Sequence, residues 1–262
     1  MAQAVRTSWA VTLSVWRALV LREAVARLFS SRVSFIWLVG EPVAHVMYLI
    51  FIYTRVKVHK IAGLDAALWL MVGIIAYYQF RKVSNQVISA TKDNRALFAY
   101  RQVKPIDTIF ARAYLELVLS ALVLFILILL NALQGHSFAP DYPLTLLGAL
   151  FALWLLGLGF GMCMVAFFAI APDARHFYTM MMRPMYLISG VLFPIGTLPH
   201  DARVLFLLNP VACGLEMARE SLSSSYVGIP ELDPWYLYEF AFTVFLIGIA
   251  LNRLLERRIA ER

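Results

Sequence analysis

Long apolar stretches alternate with short basic gaps along the whole chain, and no single water-soluble core can bury that much continuous apolar surface. Six stretches stand out, at about 33–53, 66–89, 105–133, 142–170, 177–198 and 235–251. A helix needs about 20 apolar residues to cross a bilayer, and most of these runs reach that length. With 61% hydrophobic residues, the expected fold is an all-α polytopic membrane protein with six transmembrane helices, in one domain over 1–262.

The charges orient the spans. Lys and Arg accumulate before the first span, between the second and third, between the fourth and fifth, and after the sixth, leaving five of the 23 for the opposite loops. Cations are retained on the cytoplasmic side, so both termini are expected there. The net charge of +7 lies in gaps between apolar runs and not on a separate polar domain, which argues against a nucleic-acid partner. Residues 8–32 are expected to form an interfacial helix, with Trp16, Leu19 and Val20 on one face, although Glu23 and Arg27 continue that stripe and spoil its amphipathic pattern. The first cations are not followed by an uninterrupted apolar core and a small-residue cleavage site, so the first span is expected to direct insertion itself.

The largest basic gap runs from Arg81 to Arg112, with seven cations against Asp93 and Asp107. Thr91 is placed to cap a short helix over Asn94–Tyr100, with Arg95, Ala96, Leu97 and Phe98 in its body, and Pro105 suits the first turn of the next span with Asp107 near its positive end. Such a helix is either a cytoplasmic handle for a partner or a plain charged turn.

Several residues inside or beside the spans are expensive in lipid. Glu41, followed by Pro42, marks either a hinge whose acid is satisfied locally or a group facing a wet path. Arg112 and Glu116 stand one turn apart and are expected to pair. Aromatic residues crowd the first two spans. Interfacial belts explain most of them, while Trp37, Tyr77 and Tyr78 are candidates for a path along which sugar rings could stack. Arg55, Lys57 and Lys60 run against the charge rule in an outer loop, where they can serve a partner, an anionic substrate or nothing. Residues 199–228 hold two apolar runs too short to cross, broken at Asn209-Pro210, which suits either a re-entrant helix pair or a plain outer loop. The GLGFG run at 157–161 is expected to permit close helix packing.

No motif for catalysis emerges: there is no HExxH and no nucleophile elbow, and the five histidines are scattered. Cys163 and Cys213 lack the spacing of a metal or redox pair, so no metal site is expected. No Gly-Lys-Ser/Thr follows the mid-span glycines, so the chain is not expected to bind ATP through a Walker loop. If ATP drives it, another subunit binds the nucleotide.

RLFSSRVSFIWLVGEP at 27–42, NRALFAYRQVKPID at 94–107 with Ala111, Arg112, Leu115 and Glu116, SGVLFPIGTLP at 189–199 and LLNP at 207–210 together resemble the inner-membrane permeases of capsular polysaccharide ABC exporters, within the type-2 ABC exporter family. The resemblance covers nearly the whole chain. It implies a multi-pass protein of the inner membrane, paired with a second copy of itself and with a cytoplasmic ABC ATPase dimer that binds ATP and Mg. It also implies a lipid-linked acidic polysaccharide as cargo and periplasmic and outer-membrane export partners. By the same similarity, Asn94 to Tyr100 would be the coupling helix, 8–32 the interface helix and 199–228 the re-entrant pair at the exit. The alternatives are an exporter of the same architecture for O-antigen, a teichoic polymer or a lipid, and, from another class, a lipid-linked membrane transferase.

Overall fold

The computed structural model describes residues 8–28, 34–56, 59–100, 102–133 and 138–261. Helices dominate: α1 (Ser8–Leu28), α2 (Ser34–Arg55), α3 (Ala66–Asp93), α4 (Pro105–Leu133), α5 (Pro143–Ile170), α6 (Ala174–Ile188), α7 (His200–Leu207), α8 (Pro210–Glu220), α9 (Pro234–Leu254) and α10 (Glu256–Glu261). The starts of α3, α8 and α9 follow one grammar. The side chains of Asp65, Asn209 and Asp233 accept hydrogen bonds from backbone N–H groups one turn in, and Pro210 and Pro234 occupy first-turn positions where no N–H is missed. Pro105 opens α4 in the same way with Asp107 in its first turn, as the sequence implies. One element departs from an all-α fold, a hairpin of β1 (Lys60–Ile61) and β2 (Leu64–Asp65) turning through Ala62 and Gly63, both at positive φ.

Among the described residues four helices are long and apolar enough to cross a membrane: α2 through Ile36–Tyr53, α4, α5 and α9. The other two expected spans differ for separate reasons. α3 has the length, at 28 residues, but turns polar from Gln79 and continues to Asp93. α6 corrects the expected 177–198 span, because it stops at Ile188 after 15 residues, about 22 Å of helix against a hydrocarbon core of about 30 Å. The stop is encoded: Gly190 takes φ +68°, open to glycine and closed to most side chains, and Pro194 follows. The short helix expected after α3 forms as a single 3-10 turn at Arg95–Ala99, flanked by Asn94 and Tyr100, but its expected cap is corrected: Thr91 lies inside α3. In the 199–228 segment, the break at Asn209-Pro210 does separate two short helices, α7 and α8.

α5 is the spine of the bundle. It packs most extensively on α9 and α3, and its glycines alternate between the two neighbours. A methyl on Gly157 would stand 2.7 Å from the Phe80 carbonyl oxygen of α3, and one on Gly159 would stand 2.6 Å from the Phe245 backbone nitrogen of α9. Neither backbone can yield locally, so close approach explains the GLGFG run. Gly159→Ala should therefore lower the thermal midpoint of the purified protein by about 5–10 °C, the scale of 1–3 kcal/mol of overpacking. Gly40→Ala, with nothing within 4 Å of the added carbon, should change it little. Equal midpoints for the two variants would refute this account of α5.

Candidate functional site

Where α3 ends and α4 begins, polar and charged side chains from α3, α4 and the turn between them interlock with the N-terminal helix. Arg112 on α4 donates from Nε to Glu23 Oε2 at 3.0 Å and from Nη1 to Asp93 Oδ2 at 2.8 Å. Arg27 pairs with Glu116 one turn further along α4. Asn94, at the start of the 3-10 turn, receives a hydrogen bond from Arg22 at 2.6 Å and donates one to Glu23 at 2.6 Å. Trp16 adds an indole donor to Asp107 at 2.9 Å and stacks on Phe110. The stripe that looks spoiled in the sequence is thus the packed face of α1. Glu23 is buried because its carboxylate is shared between Arg112 and Asn94, the condition under which a charge leaves water.

A second constellation lies deeper among α2, α3 and α6. Tyr78 Oη bonds His45 Nδ1, and Tyr186 Oη stands 3.5 Å from the other ring nitrogen of His45. Tyr77 meets Tyr186 edge-on at 5.1 Å, Tyr178 Oη donates to Asn85 at 2.8 Å, and the Lys82 ammonium sits 5.3 Å above the Tyr78 ring. Glu41 is exposed on α2 one turn before His45, and Trp37, on the same helix, is 69% exposed. A cavity of about 30 Å³ lined by Pro42, Tyr78, Lys82, Glu116 and Ser120 separates this wall from the charged cluster at α1.

On the other side of the bundle, Arg219 of α8 is fully buried. Its guanidinium donates to the carbonyls of Gly190 and Val191 at 2.9 and 3.0 Å and to Glu216 at 2.8 Å, while lying 3.5 Å over the Trp69 ring. Tyr226 Oη completes Glu216 at 2.6 Å. These bonds hold the carbonyls of the two residues that follow Ser189, the C-cap of α6. Gly73 makes room for them, since a methyl there would stand 2.3 Å from Arg219 Nη2. In the loop before α9, hydrogen bonds from Arg203 and then His200 hold the Glu231 carboxyl down to about 2, fastening α7 to that loop.

Residues 14–222 match the ABC-2 type transporter family. The chain belongs to that family. The ABC-2 chain is 30% identical over 248 residues to the polysialic acid transport protein KpsM of Escherichia coli, covering 95% of this chain and 96% of the relative. It is 28% identical over 238 residues to the capsule polysaccharide export inner-membrane protein CtrC of Neisseria meningitidis, covering 89% and 88%. With the capsule polysaccharide export inner-membrane protein BexB of Haemophilus influenzae it shares 28% over 217 residues, covering 82% and 81%.

Within the ABC-2 chain, Tyr77 and Tyr78 come together with His45 and Tyr186, which the sequence reading did not single out. Glu41 and Trp37 stand one turn apart on α2 and are both exposed. Arg55 stacks its guanidinium 4.8 Å over Phe51, Lys60 is exposed at the start of β1, and Lys57 lies outside the described residues. The expected pair of Arg112 with Glu116 is corrected: each is taken by α1, because Glu23 and Arg27 have the same four-residue spacing and the opposite order of charge. That complementarity, acid then base on α1 against base then acid on α4, was present in the sequence. Arg219 and Glu216 had only a weak signal, an oppositely charged pair three residues apart on a short apolar helix.

Proposed function

We propose that this chain is the membrane permease of an ATP-driven exporter that carries a lipid-linked acidic polysaccharide of the capsule type across the inner membrane. Two copies line the path, and a separate cytoplasmic ATPase dimer binds ATP and Mg. Periplasmic and outer-membrane partners receive the polymer. In this reading α2, α3, α4, α5, α6 with the segment after it, and α9 make six crossings with both termini cytoplasmic. α1 lies at the cytoplasmic interface, α7 and α8 re-enter from the outer side, and the turn at Asn94–Tyr100 seats on the ATPase. The names of the relatives support the cargo class. The observation that carries the path is Glu41, exposed on an otherwise apolar helix beside His45, Tyr78 and Lys82. An acid facing lipid there is costly, whereas one facing a second copy across water is not. Arg55 and Lys60 would attract the anionic polymer at the outer end.

In this reading the part of the chain is mechanical. Closure of the ATPase pushes the Arg95–Ala99 turn, and Asn94 passes the displacement to α1 and α4 through Glu23 and Arg112. Co-expression with the ATPase of the same genome should give a complex with vanadate-sensitive ATP hydrolysis. Arg95→Ala with Leu97→Ala should lower surface polysaccharide at least about tenfold while the permease stays folded, because an interface core residue is worth 1–2 kcal/mol or more. Normal export from that variant would refute the role of the turn.

A further inference from the structure

α10 is held against the bundle from two sides. Ile259 is buried among Val83, Val87, Ile109 and Met162, and Arg95 Nη2 donates to the Glu261 carbonyl, so the turn and α10 form one unit. Between them opens a groove of about 700 Å³, far larger than the cavity beside Tyr78. Phe98 and Tyr100 line it together with Lys104, Arg253, Arg257 and Arg258 and the single acid Glu256. The three arginines are exposed. Glu256 stands 3.9 Å from Lys104 in a solvent-exposed pair that removes little of the positive field.

We propose that this groove is a docking site for an acidic segment of the cytoplasmic ATPase, one that places an apolar or aromatic side chain on Phe98 and Tyr100 and carboxylates against the arginines. The inference rests on the exporter reading above. It goes beyond it by adding the C-terminal helix to the dock. Two features favour a protein over lipid headgroups. The groove shares a wall with the turn that the ATPase covers, so the two surfaces are continuous. Phe98 and Tyr100 also line a concavity, where a folded side chain fits and a flat headgroup layer does not. The site adds charge recognition beside a turn that has little charge of its own, so it would choose the partner and orient its approach.

The test uses the full-length permease in nanodiscs containing phosphatidylglycerol, with the ATPase subunit of the same genome as the probe. A photoreactive amino acid in place of Arg257 should crosslink to an acidic segment of the ATPase. Arg257→Glu with Arg258→Glu should weaken ATPase binding by about tenfold or more at low salt, and most of that difference should vanish at high salt. Arg257→Gln with Arg258→Gln, which leaves Ile259 and the fold of α10 intact, should give a smaller loss in the same direction. Crosslinks to lipid alone, or unchanged affinity in both variants while the ATPase still binds the parent chain, would overturn the docking site and leave the exporter reading standing. A parent chain that binds no ATPase would overturn both.

Discussion

Arg219→Met should be among the most damaging single substitutions in the chain, costing about 3–5 kcal/mol and leaving little folded protein after extraction from the membrane. Methionine keeps most of the volume over Trp69 but removes three donors. Glu216 then keeps a buried carboxylate with Tyr226 as its remaining partner, and the carbonyls of Gly190 and Val191 lose theirs. Arg219→Lys should recover only part of the loss, because one ammonium cannot reach all three acceptors in the plane that stacks on Trp69. Arg219→Met with Glu216→Gln should be milder than Arg219→Met alone, since the uncompensated charge is gone. Yield of monodisperse protein and the thermal midpoint measure all three. A midpoint for Arg219→Met within a degree or two of the parent would show that the buried guanidinium is not what holds the end of α6.

The second large effect concerns the crossed pairs between α1 and α4. Arg27→Glu and Glu116→Arg should each destabilise by about 2–4 kcal/mol, because each puts two like charges in contact at a position where Glu116 is buried. Combining them restores opposite charges, and the double variant should recover at least about 1–2 kcal/mol over the sum of the single losses. The swap also separates stability from transmission. Glu23, Arg112 and Asn94 are untouched in it, so a refolded double variant should export normally if the link from the turn runs through those three. Additive losses in the double variant would show that Arg27 and Glu116 are not coupled.

The helical class, the positions of most helices and the helix starts were legible because apolar run length, first-turn prolines and Asx caps are local signals. The end of α6 is misplaced in the sequence for a physical reason: the second half of Phe177–Leu198 is mostly apolar, and hydropathy does not register the positive φ of Gly190 that ends the helix. The charged cluster was half legible. Arg112 and Glu116 stand out as costly, but i, i+4 spacing matches them to each other, whereas their α1 partners lie 89 residues away on a helix whose acid and base look like flaws. Arg219 was missed because a cation in a loop-like segment between spans is ordinarily a solvated one. Its burial depends on Trp69 and Gly73 of α3 and on Gly190 after α6, two other parts of the chain.

The capture of Gly190 and Val191 by Arg219 also bears on how the protein is made. The chain leaves the ribosome from its N-terminus, so Gly190 emerges 29 residues before the side chain that its carbonyl binds. Until α8 follows, the carbonyls of Gly190 and Val191 lack the donors that hold them in the folded protein. The C-terminal part of the chain therefore completes the fold of a segment synthesised earlier.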